Sequence, residues 1–281
     1  MPARSPLRRA SALVRSTHPG PGVAVTVVAV LLGVAVGLEP WRVAVLGVAM
    51  LLDQSSVGLS NDWIDADRDR AVGRTDKPVA RGEIPVDAVR TAAWVAAAGA
   101  LLVTLPLGLA ATAAHAVALG SAWAYNAALK NSPVSVLPYV LSFGLLPALA
   151  SLARPVPAFP VWWAVSAGAL LGVAAHFANV LPDLDDDRET GIRGLPHRLG
   201  LRVSIVVTWA ALVLAAASIA VGSGGAVVSL IGFAVSLAIG VTGLVLALRR
   251  GVGRWLFRLV ITAALIDVAM LVLAGSRLLA S

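Results

Sequence analysis

Two stretches of the chain carry an amide and a series of carboxylates at helical spacing. The first runs Asn61, Asp62, Trp63, Ile64, Asp65, Ala66, Asp67, Arg68, Asp69, Arg70. The second runs Asn179, Val180, Leu181, Pro182, Asp183, Leu184, Asp185, Asp186, Asp187, Arg188. In both, Asn is followed by Asp four and eight residues later and then by a basic residue. Residues four apart share one helical face, so Asn61, Asp65 and Asp69 form one column and Asn179, Asp183 and Asp187 another. Carboxylates crowded this closely repel one another and hold their charge poorly unless a cation sits among them. Oxygen-only ligands suit a hard ion such as Mg²⁺, which keeps several waters and shares substrate phosphates. The expectation is that the two columns face each other and clamp a diphosphate through Mg²⁺, with Asp65, Asp69, Asp183 and Asp187 as ligands. Asn61 and Asn179 are either helix caps or partners of the ion, Asn61 coordinating through its amide oxygen. A single acidic run is usually a solvated loop; the same spacing occurring twice argues against that here.

The elements that must carry these columns are membrane helices. Of 281 residues, 58% are hydrophobic and 13% charged, against about 25% charged in a soluble domain. Apolar runs long enough to cross a bilayer recur along the whole length, and continuous rather than alternating apolarity predicts helices, not a barrel. The expected fold is all-α, a polytopic membrane bundle of about nine transmembrane helices in one domain over 1–281. Spans fall at 22–38, 42–60, 86–105, 109–128, 134–152, 160–181, 201–222, 226–248 and 255–275, with 1–21 a basic, Pro/Gly-rich arm. That arm lacks the short apolar region and cleavage site of a signal peptide. With no cysteine, disulfides, thiolate metal sites and thiol nucleophiles are excluded.

The net charge of +7 would suggest nucleic acid until the charges are mapped. With the N-terminus inside, all of the 22 Lys and Arg residues except Arg42, Arg154 and Arg277 fall on the inner side, the bias that sets membrane orientation. The arm and both acidic loops are therefore expected in the cytoplasm, and no nucleic-acid partner is expected. Alanine- and arginine-rich usage points to a GC-rich bacterium and so to the plasma membrane. Outside the two acidic loops only Glu39, Asp53 and Asp267 carry negative charge, and ionisable groups inside a membrane protein are functional candidates by default.

The loops also hold Arg68, Arg74, Lys77, Arg81, Lys130, Arg188, Arg193 and Arg198, cations that either fix topology or stabilise a departing diphosphate. Asp62, Asp67, Asp185 and Asp186 point off the columns, supporting them or facing solvent. Asp53 continues the first column two turns deeper, and His176 stands about two turns deeper than Asp183; either could take a proton from an acceptor or steady a cation, or be a satisfied interior group. Asp267 is equally a structural pair. Trp123, Tyr125, Phe143, Trp162, Trp163 and Phe177 are candidates to line an apolar channel, though an interfacial position suits Trp162 and Trp163 better.

These motifs resemble those of the UbiA-type membrane prenyltransferases. Asn61, Asp62, Asp65 and Asp69, followed by Arg74, Lys77-Pro78 and Gly82, look like that family's first signature; Asp183 and Asp187, followed by Gly191-Ile192 and Leu195-Pro196, look like its second. Tyr125 with Lys130 resembles the Tyr and Lys of the loop between the family's fourth and fifth helices. Lys77 stands where Arg is frequent, and Gly194 precedes Leu195 where Thr is common. The resemblance implies a bundle around a central cavity, Mg²⁺ on the two Asp motifs, Tyr125 and Lys130 at the reacting end and an isoprenyl diphosphate donor, with membrane lipid as a further partner. The expected reaction moves the isoprenyl group to an acceptor, often aromatic; on the same scaffold a cyclase would let the chain's own double bond attack. A transporter or Mg²⁺ channel would spread its acids through the membrane depth, and a CDP-alcohol phosphotransferase would need an Asp-Gly-x-x-Ala-Arg stretch.

Overall fold

The structure is a computed structural model that describes residues 6–184, 191–251 and 253–279, with the side chains of Asp183 and Arg254 not among what is described. Its elements are α1 (Pro6–Ser16), α2 (Pro19–Ala35), α3 (Pro40–Ile64), α4 (Ala66–Ala71), α5 (Val86–Thr104), α6 (Leu109–Ala127), α7 (Leu137–Leu152), α8 (Trp162–Val180), α9 (Leu195–Gly222), α10 (Val227–Arg250) and α11 (Arg254–Leu273). A helix stands at each of the nine expected spans among the described residues. Six of them, α3, α5, α8, α9, α10 and α11, are long and apolar enough to cross a membrane unaided. A seventh crossing results if α1 and α2, bent by 59° at Thr17–His18, are taken together. Nine is therefore an approximate count: α7 has only 16 residues, and α6 spends part of its length on His115, Trp123, Tyr125 and Asn126.

From Pro6 on, the basic Pro/Gly-rich arm is helical. Proline is favoured in the first helical turn, where its missing N–H is not needed, so Pro6 and Pro19 start helices rather than break them. α1 lays Ala12 and Ser16 on the bundle and keeps Arg8 and Arg9 in the open. α9 likewise begins at Leu195, earlier than the sequence suggests, because Pro196 fits its first turn and the chain bends at Gly200 (φ 80°).

Helices adjacent in sequence pack side by side, α3 on α5 and α7 on α8 on α9 most extensively, and α11 returns to α2 to close the ring. At one end an apolar plug forms from Leu32, Leu46, Leu107, Leu149, Ile219 and Leu278, every one of them buried. Trp163 belongs to this plug: the Cβ of any other residue at Gly222 would lie 2.0 Å from its ring. Its interfacial placement is thus corrected to the core, whereas Trp162 is 69% exposed as expected. Large apolar side chains elsewhere point outward, Val48, Val95 and Leu265 among them. This apolar exterior on long helices is that of an integral membrane protein. Asp267 lies away from the cavity described next, fully buried between α10 and α11, where Ser236 Oγ donates to its Oδ1 at 2.7 Å. It is a structural pair.

Candidate active site

The end of the bundle opposite the plug is where α3, α6 and α8 finish and α9 starts. A cavity of about 540 Å³ opens there and runs down toward Met50 and Leu149 at the plug. Asn61, Asp65, Arg68, Arg74 and Lys77 line it from the first acidic stretch and its loop. Tyr125, Lys130, His176 and Asn179 line it from the facing helices. The two helix ends carrying the acidic stretches thus open into one space. Asp187 and Arg188 lie outside the described residues, as does the side chain of Asp183.

Local backbone geometry keeps the first column intact. Helix α3 formally ends at Ile64, but Asp65 stays right-handed (φ −86°, ψ −1°) and its N–H reaches Asn61 O at 3.0 Å. Asp69 N–H reaches Asp65 O at 2.8 Å. The four-residue spacing therefore passes through the break into α4. Asn61 Nδ2 donates to Asp65 Oδ2 at 3.2 Å, so Asn61 orients a carboxylate rather than capping a helix.

Cations meet these oxygens from three directions. Lys130 reaches across the cavity to Asp65 Oδ1, and Arg68 Nη2 lies 2.8 Å from Asp65 Oδ2. Lys77 Nζ donates to Asn61 Oδ1 at 3.0 Å and stands 2.9 Å from Asp69 Oδ2 and 3.3 Å from Asp62 Oδ1. Burial pushes the Lys130 ammonium below the ordinary lysine range, while Asp65 holds it up. At the rim, Arg74 grips Asp76 through two hydrogen bonds of 2.8 and 2.7 Å and brings that carboxyl down to about 2.

Among the described residues no three Asp, Glu or His side chains converge closely enough to hold a metal ion by themselves. The donors of the first stretch nevertheless fit a hard cation, since all are oxygens. The three oxygens around the Lys77 ammonium, none farther than 3.3 Å, mark a point where positive charge is already favoured.

Other expected residues divide. Asp53 and His176 line the cavity. Asp69 is buried against Lys77 behind the wall. Asp62, for which solvent was one expectation, is 1% exposed and lies 2.8 Å from His18 Nε2. Arg193 is exposed, and its carbonyl accepts from Arg198 Nε. Phe143 lines the cavity, but Trp123 instead packs at a tilt against Trp94, and Phe177 is buried beside the His176 ring.

Several lining residues carried no signal in the sequence. His18, in the turn between α1 and α2, adopts a left-handed conformation (φ 51°, ψ 61°) and roofs the cavity. Gly58 makes this roof possible: a Cβ there would come within 2.3 Å of Thr17 O. Tyr139 packs edge-on to Tyr125 and against His176. Behind the lining, buried Ser135 Oγ accepts from Leu195 N–H at 2.8 Å and lies 3.0 Å from His176 Nε2, joining the Lys130 loop, α8 and α9.

Gly194 lets those segments meet, because a Cβ on it would sit 2.6 Å from Lys130 O. Gly194→Ala should therefore lower turnover about tenfold, a loss of roughly 1.4 kcal/mol in transition-state stabilisation, by moving Lys130 away from Asp65. Helical circular dichroism should stay at the wild-type level, and unchanged turnover would contradict the assignment.

A model of the UbiA prenyltransferase family matches residues 22–271. The chain belongs to this family. It is 32% identical over 158 residues to the 4-hydroxybenzoate octaprenyltransferase of Ralstonia nicotianae, covering 55% of this chain and 54% of that one, so this chain spans only about half the length of that relative. To the digeranylgeranylglyceryl phosphate synthase of Natronomonas pharaonis it is 29% identical over 219 residues, 75% of this chain and 77% of that one. The solved structure of a UbiA homolog from Archaeoglobus fulgidus bound to GPP and Mg²⁺ superposes with a TM-score of 0.73 at 15% identity, over 94% of this UbiA-family chain and 99% of that chain. At that identity the likeness speaks for the fold alone.

Proposed function

We propose that this UbiA-family protein transfers an isoprenyl group from a prenyl diphosphate to a small acceptor within the membrane, residues 1–281 acting as one domain. The observation that carries the reading is a single cavity with a cationic, carboxylate-bearing mouth and an apolar interior. The mouth suits a metal-bound diphosphate and the interior suits a prenyl chain. Mg²⁺ would be held by Asp65 and Asp69 with Asn61, and by Asp183 and Asp187 from the second stretch; bound there, it supplies Lewis-acid stabilisation of the leaving diphosphate. Lys77, Lys130, Arg68 and Arg74 bind phosphate oxygens and take up the charge that develops as the C–O bond ionises. Phe143 and Leu146, on the α7 wall, flank the chain and keep out water that would quench an allylic cation. The faces of Tyr125 and Tyr139, held in place by His176, turn toward that cation. An electron-rich acceptor attacks the allylic carbon and then gives up a proton. In this reading the mouth, the N-terminal segment 1–21 and both acidic loops face the cytoplasm, in a bacterium at the plasma membrane; the bias of Lys and Arg toward that side supports it.

The test is mass spectrometry of products from purified protein given Mg²⁺ and prenyl diphosphates of several lengths, with and without aromatic acceptors. A prenylated acceptor, formed only when donor, acceptor and Mg²⁺ are all present, is the expected result. A cyclic hydrocarbon or alcohol formed without acceptor would replace this reading with a cyclase, and no turnover of any prenyl diphosphate would remove both.

A further inference from the structure

We infer that the α3–α6 wall of the cavity's deep end is an acceptor subsite, formed by Asp53, His115 and Gln54, that takes uncharged hydrogen-bond donors and refuses carboxylates. This rests on the prenyl-transfer reading above and adds the class of acceptor to it.

Asp53 and His115 are 4% and 1% exposed, and both line the cavity. Asn61 lies eight residues beyond Asp53 on α3, about 12 Å along the helix axis, and Asp65 about 18 Å. The pair is therefore beyond the reach of the diphosphate mouth and sits where the far side of an acceptor would rest. Its protonation is constrained by a neighbour. Thr104 Oγ1 donates to Ala100 O at 2.7 Å and also lies 2.7 Å from His115 Nδ1. A hydroxyl has one proton, so Nδ1 must carry its own and donate it to Thr104. The other ring nitrogen, Nε2, then faces Asp53 Oδ1 at 3.3 Å. Neither of those two atoms has a hydrogen-bond partner among the described residues. Gln54 Nε2 holds the second carboxyl oxygen, Oδ2, at 2.8 Å.

The pair offers the unpartnered Asp53 Oδ1 to a hydrogen-bond donor. The Lys and Arg side chains that line the cavity, Arg68, Arg74, Lys77 and Lys130, all belong to its mouth. A carboxylate brought beside Asp53 would add a second buried negative charge with no counter-ion, an arrangement proteins avoid because burial disfavours the charged form. A hydroxyl in the same place would satisfy Oδ1.

The test uses full-length protein in lipid nanodiscs with Mg²⁺ and geranyl S-thiolodiphosphate, a donor that does not react. Two probes of nearly equal shape are titrated by calorimetry, 4-hydroxybenzyl alcohol and 4-hydroxybenzoate. Wild type should bind the alcohol at least about tenfold more tightly, the scale on which an unpaired buried charge is penalised. Asp53→Asn should bring the two affinities within about threefold while thiolodiphosphate affinity is unchanged. His115→Gln, a second variant should the first not fold, should weaken the alcohol about fivefold or more, again without moving thiolodiphosphate affinity. Benzoate binding as tightly as the alcohol, an unchanged ratio in Asp53→Asn, or neither probe binding while the thiolodiphosphate does, would overturn the inference. If the thiolodiphosphate itself does not bind, the prenyl-transfer reading fails first and the subsite falls with it.

Discussion

Asp65→Ala is expected to lower product formation about 10³-fold or more, the scale seen when a main electrostatic contributor at a reacting centre is removed. Asp65 is the one carboxylate of the first stretch that both lines the cavity and meets cations from two other segments, Lys130 from beyond α6 and Arg68 from α4. Its loss removes a proposed metal ligand and leaves Lys130 and Arg68 close together without a counter-charge. Lys130, already pressed toward its neutral form by burial, would lose the partner that keeps it charged. The defect should be chemical rather than structural, since Asp65 follows the last residue of α3 and is no part of the apolar plug. Product mass spectrometry should show the loss, while size-exclusion profile and helical circular dichroism stay as in wild type. Turnover within tenfold of wild type would remove Asp65 from the proposed metal site.

Gly172→Ala is expected to cost about 3 kcal/mol of stability, the upper part of the range for overpacking a tight interior. The Cβ it introduces would lie 2.4 Å from Tyr139 O and 2.8 Å from Tyr139 C. One turn earlier Gly168 stands in the same relation to Phe143 O, at 2.5 Å. Small residues four apart let membrane helices approach backbone to backbone, and here the obstacle is main chain, which has no rotamer with which to give way. α7 and α8 must separate, taking Tyr139 from the His176 ring. A thermal melt in detergent should show a clear drop for Gly172→Ala and almost none for Gly120→Ala, whose Cβ would meet nothing within 4 Å. Equal melting of the two would contradict the packing argument.

What the sequence made legible was whatever depends on local periodicity. The column Asn61, Asp65, Asp69 could be placed because helical spacing carries through the junction of α3 and α4, and Asp53 and His176 could be placed deeper for the same reason. Lys77 and Lys130 were legible as cations of the right loops, although nothing local reveals that Lys77 stands between Asn61, Asp69 and Asp62. Asp62 was misplaced in part because its partner, His18, is 44 residues away and enters only through the bend between α1 and α2. His115, a single histidine in an apolar run, reads as ordinary core until Asp53 is found opposite it. Pro6 and Pro19 start helices, which the Pro/Gly-rich composition of the arm does not reveal. Trp163 was set at the membrane surface because nothing in its own neighbourhood announces Gly222, a residue of α9 that leaves room for its ring.

The roof formed by Thr17 and His18 has a practical side. One tether of this leader, Arg15 to Glu83, lands on the loop that presents Lys77, and the other, His18 to Asp62, lands on a carboxylate that Lys77 also touches. Anyone trimming the leader to improve expression, or hanging a bulky fusion partner from it, would be pulling out part of the wall of the proposed active-site cavity. The resulting protein would fold and insert, yet behave in an assay like an active-site mutant.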